Sequence, residues 1–179
     1  KKKPVLIEKD EPSTLSSSQL AADYVVISHR RFIESPALED LLDLRQSQGH
    51  RVLHVNVQDV YDEFNAGHPS SYAIRDFLKH AQTQWQEPKL QYVLLVGDGS
   101  YVRYDAQGDT LDLIPAHMRQ TMVYGAAASD YWYSLLSGND EIPELYIGRL
   151  PARTVGELEL YIDKMIAYET SPPPGDWPN

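Results

Sequence analysis

Four short apolar runs, rich in β-branched residues, leave this chain few folds to choose from. They are Tyr24-Val25-Val26-Ile27-Ser28, Arg51-Val52-Leu53-His54-Val55-Asn56-Val57, Tyr92-Val93-Leu94-Leu95-Val96 and Leu145-Tyr146-Ile147. Runs of this length and continuity are the mark of strands covered on both faces, which occurs chiefly in parallel sheets. Between them the apolar period changes to that of a helix. Leu38, Leu41, Leu42 and Arg45 share one face, after Ser35 as N-cap and Pro36 in the first turn, with Gly49 closing the segment. Asp59 to Phe64 has room for one helical turn before Asn65-Ala66-Gly67. Ser70 or Ser71 caps the next helix, whose stripe is Ile74, Phe77, Leu78, Ala81 and Trp85. Thr154 and Glu157 form a capping box before a helix lined by Leu158, Ile162, Met165, Ile166 and Glu169. Right-handed crossovers turn this order into an α/β fold. The expectation is a doubly wound, mainly parallel four-stranded sheet, ordered 2-1-3-4, with helices on both faces in three layers of flavodoxin-like type.

Flanking segments are of a different character. Residues 1–20 are polar and rich in Ser and Pro apart from Val5-Leu6-Ile7, and read as an extended arm with the option of docking as an edge strand. Residues 21–170 form the domain, and the Pro-rich stretch 171–179 reads as a linker. Residues 97–143 are an excursion too long for an idle loop, expected to include a hairpin near Tyr131 to Leu136 and a turn at Gly138-Asn139-Asp140.

Composition removes whole classes of function. A net charge of −10 argues against nucleic acid or an anionic membrane as the main partner. No run approaches the roughly 18 apolar residues of a membrane span. The chain has no cysteine, which excludes disulfides, thiolate metal sites and a thiol nucleophile within it.

Ligands and catalysis in such sheets gather at the carboxyl ends of the strands. Those ends carry Ser28-His29-Arg30, Asn56, Gly97-Asp98-Gly99-Ser100 and Gly148-Arg149, and Ser129-Asp130 lies in the excursion. Asp98, Asp130 and Arg149 are therefore the strand-end candidates. Asp98 fits a turn aspartate bonding its own backbone between two glycines. It also fits a calcium site shared with Asp105, Asp109, Asp112 or Asp130, although their spacing matches no EF-hand. A phosphoacceptor role would need an acidic pair after the first strand, where Ser28-His29-Arg30 stands. The segment is neither a phosphate-binding loop nor a dinucleotide fingerprint, and no nucleophile elbow exists. The histidines at 29, 50, 54, 68, 80 and 117 have no metal-ligand spacing. Tyr131, Trp132 and Tyr133 read as hairpin packing or as a binding wall.

Several segments, taken in order, resemble the gingipain family of cysteine peptidases. They include Asp23-Tyr24-Val25-Val26-Ile27, Gly49-His50-Arg51-Val52, Asp59-Val60-Tyr61-Asp62-Glu63-Phe64 and Ala73-Ile74-Arg75-Asp76-Phe77-Leu78. Further along come Leu94-Leu95-Val96-Gly97-Asp98-Gly99-Ser100-Tyr101, Ile114-Pro115, Ala128-Ser129-Asp130, Ile147-Gly148-Arg149-Leu150-Pro151-Ala152-Arg153 and Lys164-Met165-Ile166-Ala167-Tyr168-Glu169.

The resemblance implies a caspase-like catalytic unit of two α/β subdomains, of which this chain matches the first. It implies that the histidine of a His-Gly motif and the nucleophilic cysteine belong to the second. Here Gly49-His50 and Gly67-His68 are followed by Arg51 and Pro69, so neither histidine matches, and the Cys/His dyad is expected beyond Asn179. No catalytic residue is therefore assigned within the chain. Arg153 stands where some members place a supporting glutamate, and Asp163 resembles the position of an acid that helps set arginine preference. Both are substrate-cleft candidates. The implied partners are the downstream catalytic subdomain and a peptide or protein substrate, with no cofactor beyond the calcium option. The implied location is outside the cell or on its surface. A binding or scaffold module derived from the family is the alternative.

Overall fold

The computed structural model describes residues 12–123, 125–138, 140–172 and 174–175. Val5-Leu6-Ile7, Asn139 and the end of the Pro-rich stretch lie outside the described residues. Strands β1 (Tyr24–Ser28), β2 (Val52–Asn56), β3 (Tyr92–Val96) and β6 (Tyr146–Leu150) form one parallel sheet in the order β2-β1-β3-β6. This is the expected 2-1-3-4 arrangement, since β6 is the fourth parallel strand. Tyr24 lies level with Val52 on one side and with Tyr92 on the other, and Tyr92 lies level with Tyr146.

Alternation along the strands sorts the core into two layers. Val25, Ile27, Val93 and Leu95 face helices α2 (Val57–Asn65) and α3 (Ser71–Gln84), where Ile74, Phe77, Leu78 and Trp85 are buried. Val26, Leu94 and Val96 face α1 (Pro36–Ser47) and α4 (Val155–Thr170) through Leu38, Leu41, Leu158 and Ile162. Thr154 and Glu157 form both halves of the capping box that starts α4. Arg45 grips Glu169 through two hydrogen bonds of 2.6 and 2.7 Å, joining α1 to the last turn of α4.

Asp23 aligns the amino ends of three strands. Its carbonyl accepts the Gln91 and Tyr92 amides, each at 2.9 Å, and its carboxylate accepts the Arg51 amide at 2.6 Å and meets His50 Nδ1 at 2.9 Å.

Three local expectations need correction. Helix α2 runs for nine residues and not for one turn, because the Asn56 side chain caps it directly at the end of β2. Val57, Val60, Tyr61 and Phe64 then supply a full apolar stripe. The fourth strand extends to Leu150, so Arg149 lies inside β6 and not beyond its end. The hairpin is formed by β4 (Met118–Thr121) and β5 (Gly125–Ala128), whereas Asp130–Ser134 is a 3₁₀ helix. A strand would put Tyr131 and Tyr133 on one face. Instead Tyr131 donates to the Glu141 carbonyl, Trp132 stacks on His117, and buried Tyr133 donates to the Pro115 carbonyl. Of the arm, residues 12–20 form turns, and Val5-Leu6-Ile7, on which the edge-strand option rests, lies outside the described residues. Glu63 holds these turns through the Leu15 and Ser16 amides at 2.6 and 2.8 Å.

Candidate functional site

The carboxyl edge of the sheet has two unlike halves. Under β3 and β6 the excursion folds back and is fastened from below. Gly97 adopts φ +145°, and a Cβ there would stand 3.2 Å from both Leu113 and Ile114. A Cβ on Gly99 would meet the Ile114 carbonyl at 3.0 Å. These two glycines let the strand end and the returning chain touch. The Asp98 carbonyl closes the return by accepting the Leu113 and Ile114 amides at 2.9 and 3.1 Å.

Arg149 is the centre of this half. Its Nε and Nη2 donate to the two carboxylate oxygens of Asp130, both at 2.7 Å. Nη1 donates to the Gly97 and Ile114 carbonyls at 2.7 and 2.8 Å, and Nη2 reaches the Pro115 carbonyl at 3.5 Å. All five guanidinium protons therefore have an acceptor. The Arg149 side chain is only 11% exposed, so the pair binds β6, the β3 turn, the excursion and the 3₁₀ helix into one piece. Asp98 is also engaged: Oδ1 accepts the Gly99 amide at 3.0 Å and Oδ2 accepts Arg153 Nε at 2.6 Å. Asp98 thus bonds the backbone of its own turn and, in addition, a guanidinium. Among the described residues no three acidic or histidine side chains converge as metal ligands.

The other half, between β1, β2 and the excursion, is open. A cleft of about 430 Å³ lies there, lined by residues that follow each of β1, β2 and β3. His29 at its edge is held neutral: burial first, then Arg31 and Arg30, lower its pKa to about 4. Its Nδ1 accepts the Arg31 amide at 3.2 Å, which leaves the proton on Nε2. Burial raises the pKa of Asp112, whose Oδ1 accepts the Ser100 amide at 2.9 Å.

The remaining titratable groups give no reacting constellation among the described residues. Ser28 Oγ lies 2.7 Å from His54 Nε2, but Ser28 is fully buried and offers no approach to a carbonyl. His50 pairs with Asp23, and His80 reaches the Ser16 carbonyl at 3.0 Å. The His117 ring lies 3.5 Å from that of Trp132, with Arg75 over the same indole at 4.5 Å.

The structure thus joins Asp130 to Arg149 and Asp98 to Arg153, but not Asp163 to either pair. Asp163 is exposed on α4, more than two turns beyond Arg153. Sequence reasoning missed Tyr61 and Arg103 of the cleft. Tyr61 falls on the apolar stripe of α2 and carries no signal that the residue also lines a cleft; Arg103 lies in the excursion, where periodicity is silent.

Comparison with known proteins places this architecture. The sequence profile of peptidase family C25 matches residues 17–179. The chain belongs to this family. Gingipain R2 of Porphyromonas gingivalis (strain ATCC BAA-308 / W83) is 28% identical over 145 residues, which cover 81% of this chain and 16% of that protein. Dimeric latent PorU from Porphyromonas gingivalis superposes with a TM-score of 0.68 at 26% identity, covering 83% of this chain and 16% of that one. The complex of Porphyromonas gingivalis RgpB pro- and mature domains gives 0.63 at 27% identity, covering 81% and 28%. This C25 chain therefore has the gingipain-family, caspase-like α/β fold and spans about a sixth of the length of gingipain R2. No helix among its described residues is long and apolar enough to cross a membrane.

Proposed function

We propose that this chain is the first, non-catalytic α/β subdomain of a gingipain-like cysteine endopeptidase. The reacting thiol and histidine are supplied by a downstream catalytic subdomain of the same polypeptide. One observation carries the reading: a family of cysteine peptidases is represented here by residues without a single cysteine. Two facts support it. The half of the carboxyl edge under β3 and β6 is bound up in Arg149–Asp130 and Arg153–Asp98, and the Ser28–His54 pair is sealed. The subdomain's work is to buttress its partner and to form one wall of the cleft that receives a peptide or protein substrate. Arg153, 60% exposed, and Asp163 are the wall candidates. A guanidinium at 153 cannot orient a histidine as a carboxylate would, so a contact with substrate suits Arg153 better. The relatives suggest an exported or surface protein.

The test compares this chain alone with the whole reading frame from which it comes, on a peptide substrate. The expected result is no hydrolysis by the chain alone and thiol-blocker-sensitive hydrolysis by the whole protein. Blocker-resistant hydrolysis by the chain alone overturns the reading. A reading frame with neither a His-Gly motif nor a later cysteine favours a binding or scaffold module instead.

A further inference from the structure

The open half of the carboxyl edge holds groups that the peptidase reading leaves without work. The sheet reverses its winding between β1 and β3, since β1 leads to β2 on one side while β3 leads to β6 on the other. Adjacent loops part at such a switch point and leave a crevice, the preferred ligand position in open α/β sheets. The His29 amide donates to the Val96 carbonyl at 3.1 Å, which closes the floor between the two strands. Above that floor lies the cleft of about 430 Å³, within the range of small-molecule sites.

Three observations mark it as more than a surface dent. Tyr61 lines the cleft and is only 3% exposed, yet its hydroxyl has no hydrogen-bond partner among the described residues. A buried polar group left unpaired is costly, and native structures retain few of them. Burial raises the phenol's pKa, so it remains an O–H donor. Second, Arg30 and Arg103 both line the cleft from its exposed rim, and neither makes an ion pair or a side-chain hydrogen bond among the described residues. Arg103 only lies over the Tyr104 ring at 5.6 Å. Third, the half-buried Asp112 lines the same space, and its one hydrogen bond among the described residues uses Oδ1 alone. Asp112 thus shares a cavity with both guanidiniums and feels the charge of Arg103, yet among the described residues it makes no direct ion pair with either; Asp59 is a second carboxylate in the lining, with a partner of its own. On the neighbouring half of the edge Arg149, Asp130, Asp98, Arg153 and Tyr133 are all paired.

We infer that this cleft binds a small zwitterion of amino-acid to dipeptide size. Its carboxylate is taken by Arg30 and Arg103 with the Tyr61 hydroxyl donating to it, and its ammonium is taken by Asp112. Opposite charges on one molecule satisfy both kinds of unspent group together. A plain anion would face Asp112, and a plain cation would face the two arginines. Binding requires no thiol and no downstream subdomain, so its success or failure is independent of the peptidase reading.

The test is a titration of backbone amide resonances of this chain with glycylglycine, N-acetylglycine, glycinamide and inorganic phosphate. Glycylglycine is expected to shift amides of residues 29–30, 56–61 and 103–113 saturably. The two singly charged analogues should bind at least about tenfold more weakly, the scale of one charged hydrogen bond. Tyr61→Phe should weaken glycylglycine by about 3- to 10-fold without lowering the melting temperature. Asp112→Asn should reduce the preference for glycylglycine over N-acetylglycine. Unmoved amides, a singly charged analogue or phosphate binding as tightly, or an unchanged Kd in Tyr61→Phe would each overturn the inference.

Discussion

The closed and open halves of the carboxyl edge are built from the same residue types and put them to opposite use. Beneath β3 and β6, Arg149 places all five protons on Asp130 and three carbonyls. Across the switch point, Arg30, Arg103 and Asp112 line a cleft without an ion pair among the described residues, and Tyr61, which also lines it, has an unbonded, buried hydroxyl. The two phenols show the contrast most simply. Tyr133 and Tyr61 are both buried, but Tyr133 donates to the Pro115 carbonyl while Tyr61 donates to nothing among the described residues. Saturation makes a joint; unsaturation leaves a receptacle. Composition does not separate them, and only the bookkeeping of donors and acceptors does.

The largest expected effect comes from opening the joint. Arg149→Met should lower the free energy of unfolding by about 3–5 kcal/mol in a denaturant titration, because Asp130 and three carbonyls lose their common donor. Arg149→Lys should recover only part of this, since an ammonium cannot fork onto a carboxylate. A loss below about 1 kcal/mol for Arg149→Met would show the joint to be ornamental.

The phenols give the next test. Tyr133→Phe should cost about 1 kcal/mol, the worth of a satisfied hydrogen bond, whereas Tyr61→Phe should be neutral or slightly stabilising. Equal costs would erase the distinction between the halves.

Acid gives a smaller effect. The pKa of His29 is depressed to about 4 in the fold against an ordinary 6.5, so the unfolded chain binds more protons between those values. Its contribution is complete above about pH 6.5 and is lost as pH falls toward 4. Burial lowers the pKa of His54 as well and adds to the same slope. His29→Asn, which keeps an acceptor for the Arg31 amide, should flatten but not abolish the decline in melting temperature. An identical pH slope in the variant would refute the assignment.

The smallest effect is expected at Asp98. Arg153→Ala, at an exposed pair, should leave the melting temperature unchanged within error. A chelator should do the same, because both Asp98 oxygens are engaged without a cation. A chelator-induced fall would restore the calcium alternative.

Much of the scaffold is legible along the chain because its signals are local. The β-branched runs, the Thr154–Glu157 box and the stripe of α3 each lie within one element, and together they determine the sheet order. The excursion is less legible. Met118–Thr121 and Gly125–Ala128 lack apolar alternation, while Tyr131-Trp132-Tyr133 imitates a strand yet sends each ring to a different neighbour. Asp98, Asp130 and Arg149 stand out as candidates along the chain, but the residues they pair with lie 55 and 19 positions away. Nothing in local sequence pairs them. Tyr61 is hidden for the same reason: an apolar stripe announces its ring and says nothing of its hydroxyl.

The alignment made by Asp23 reaches beyond the amino ends. With Tyr24, Val52, Tyr92 and Tyr146 in line and each strand five residues long, the loops leaving β1, β2, β3 and β6 depart from a common level. The depth of the open cleft and the height of the closed joint therefore come from what the loops carry, not from staggered strands. Such a platform is interchangeable: a loop can be lengthened, emptied or refilled at one strand without shifting the register of its neighbours. In this molecule the level edge is a socket board, and the chemistry is what has been plugged into it.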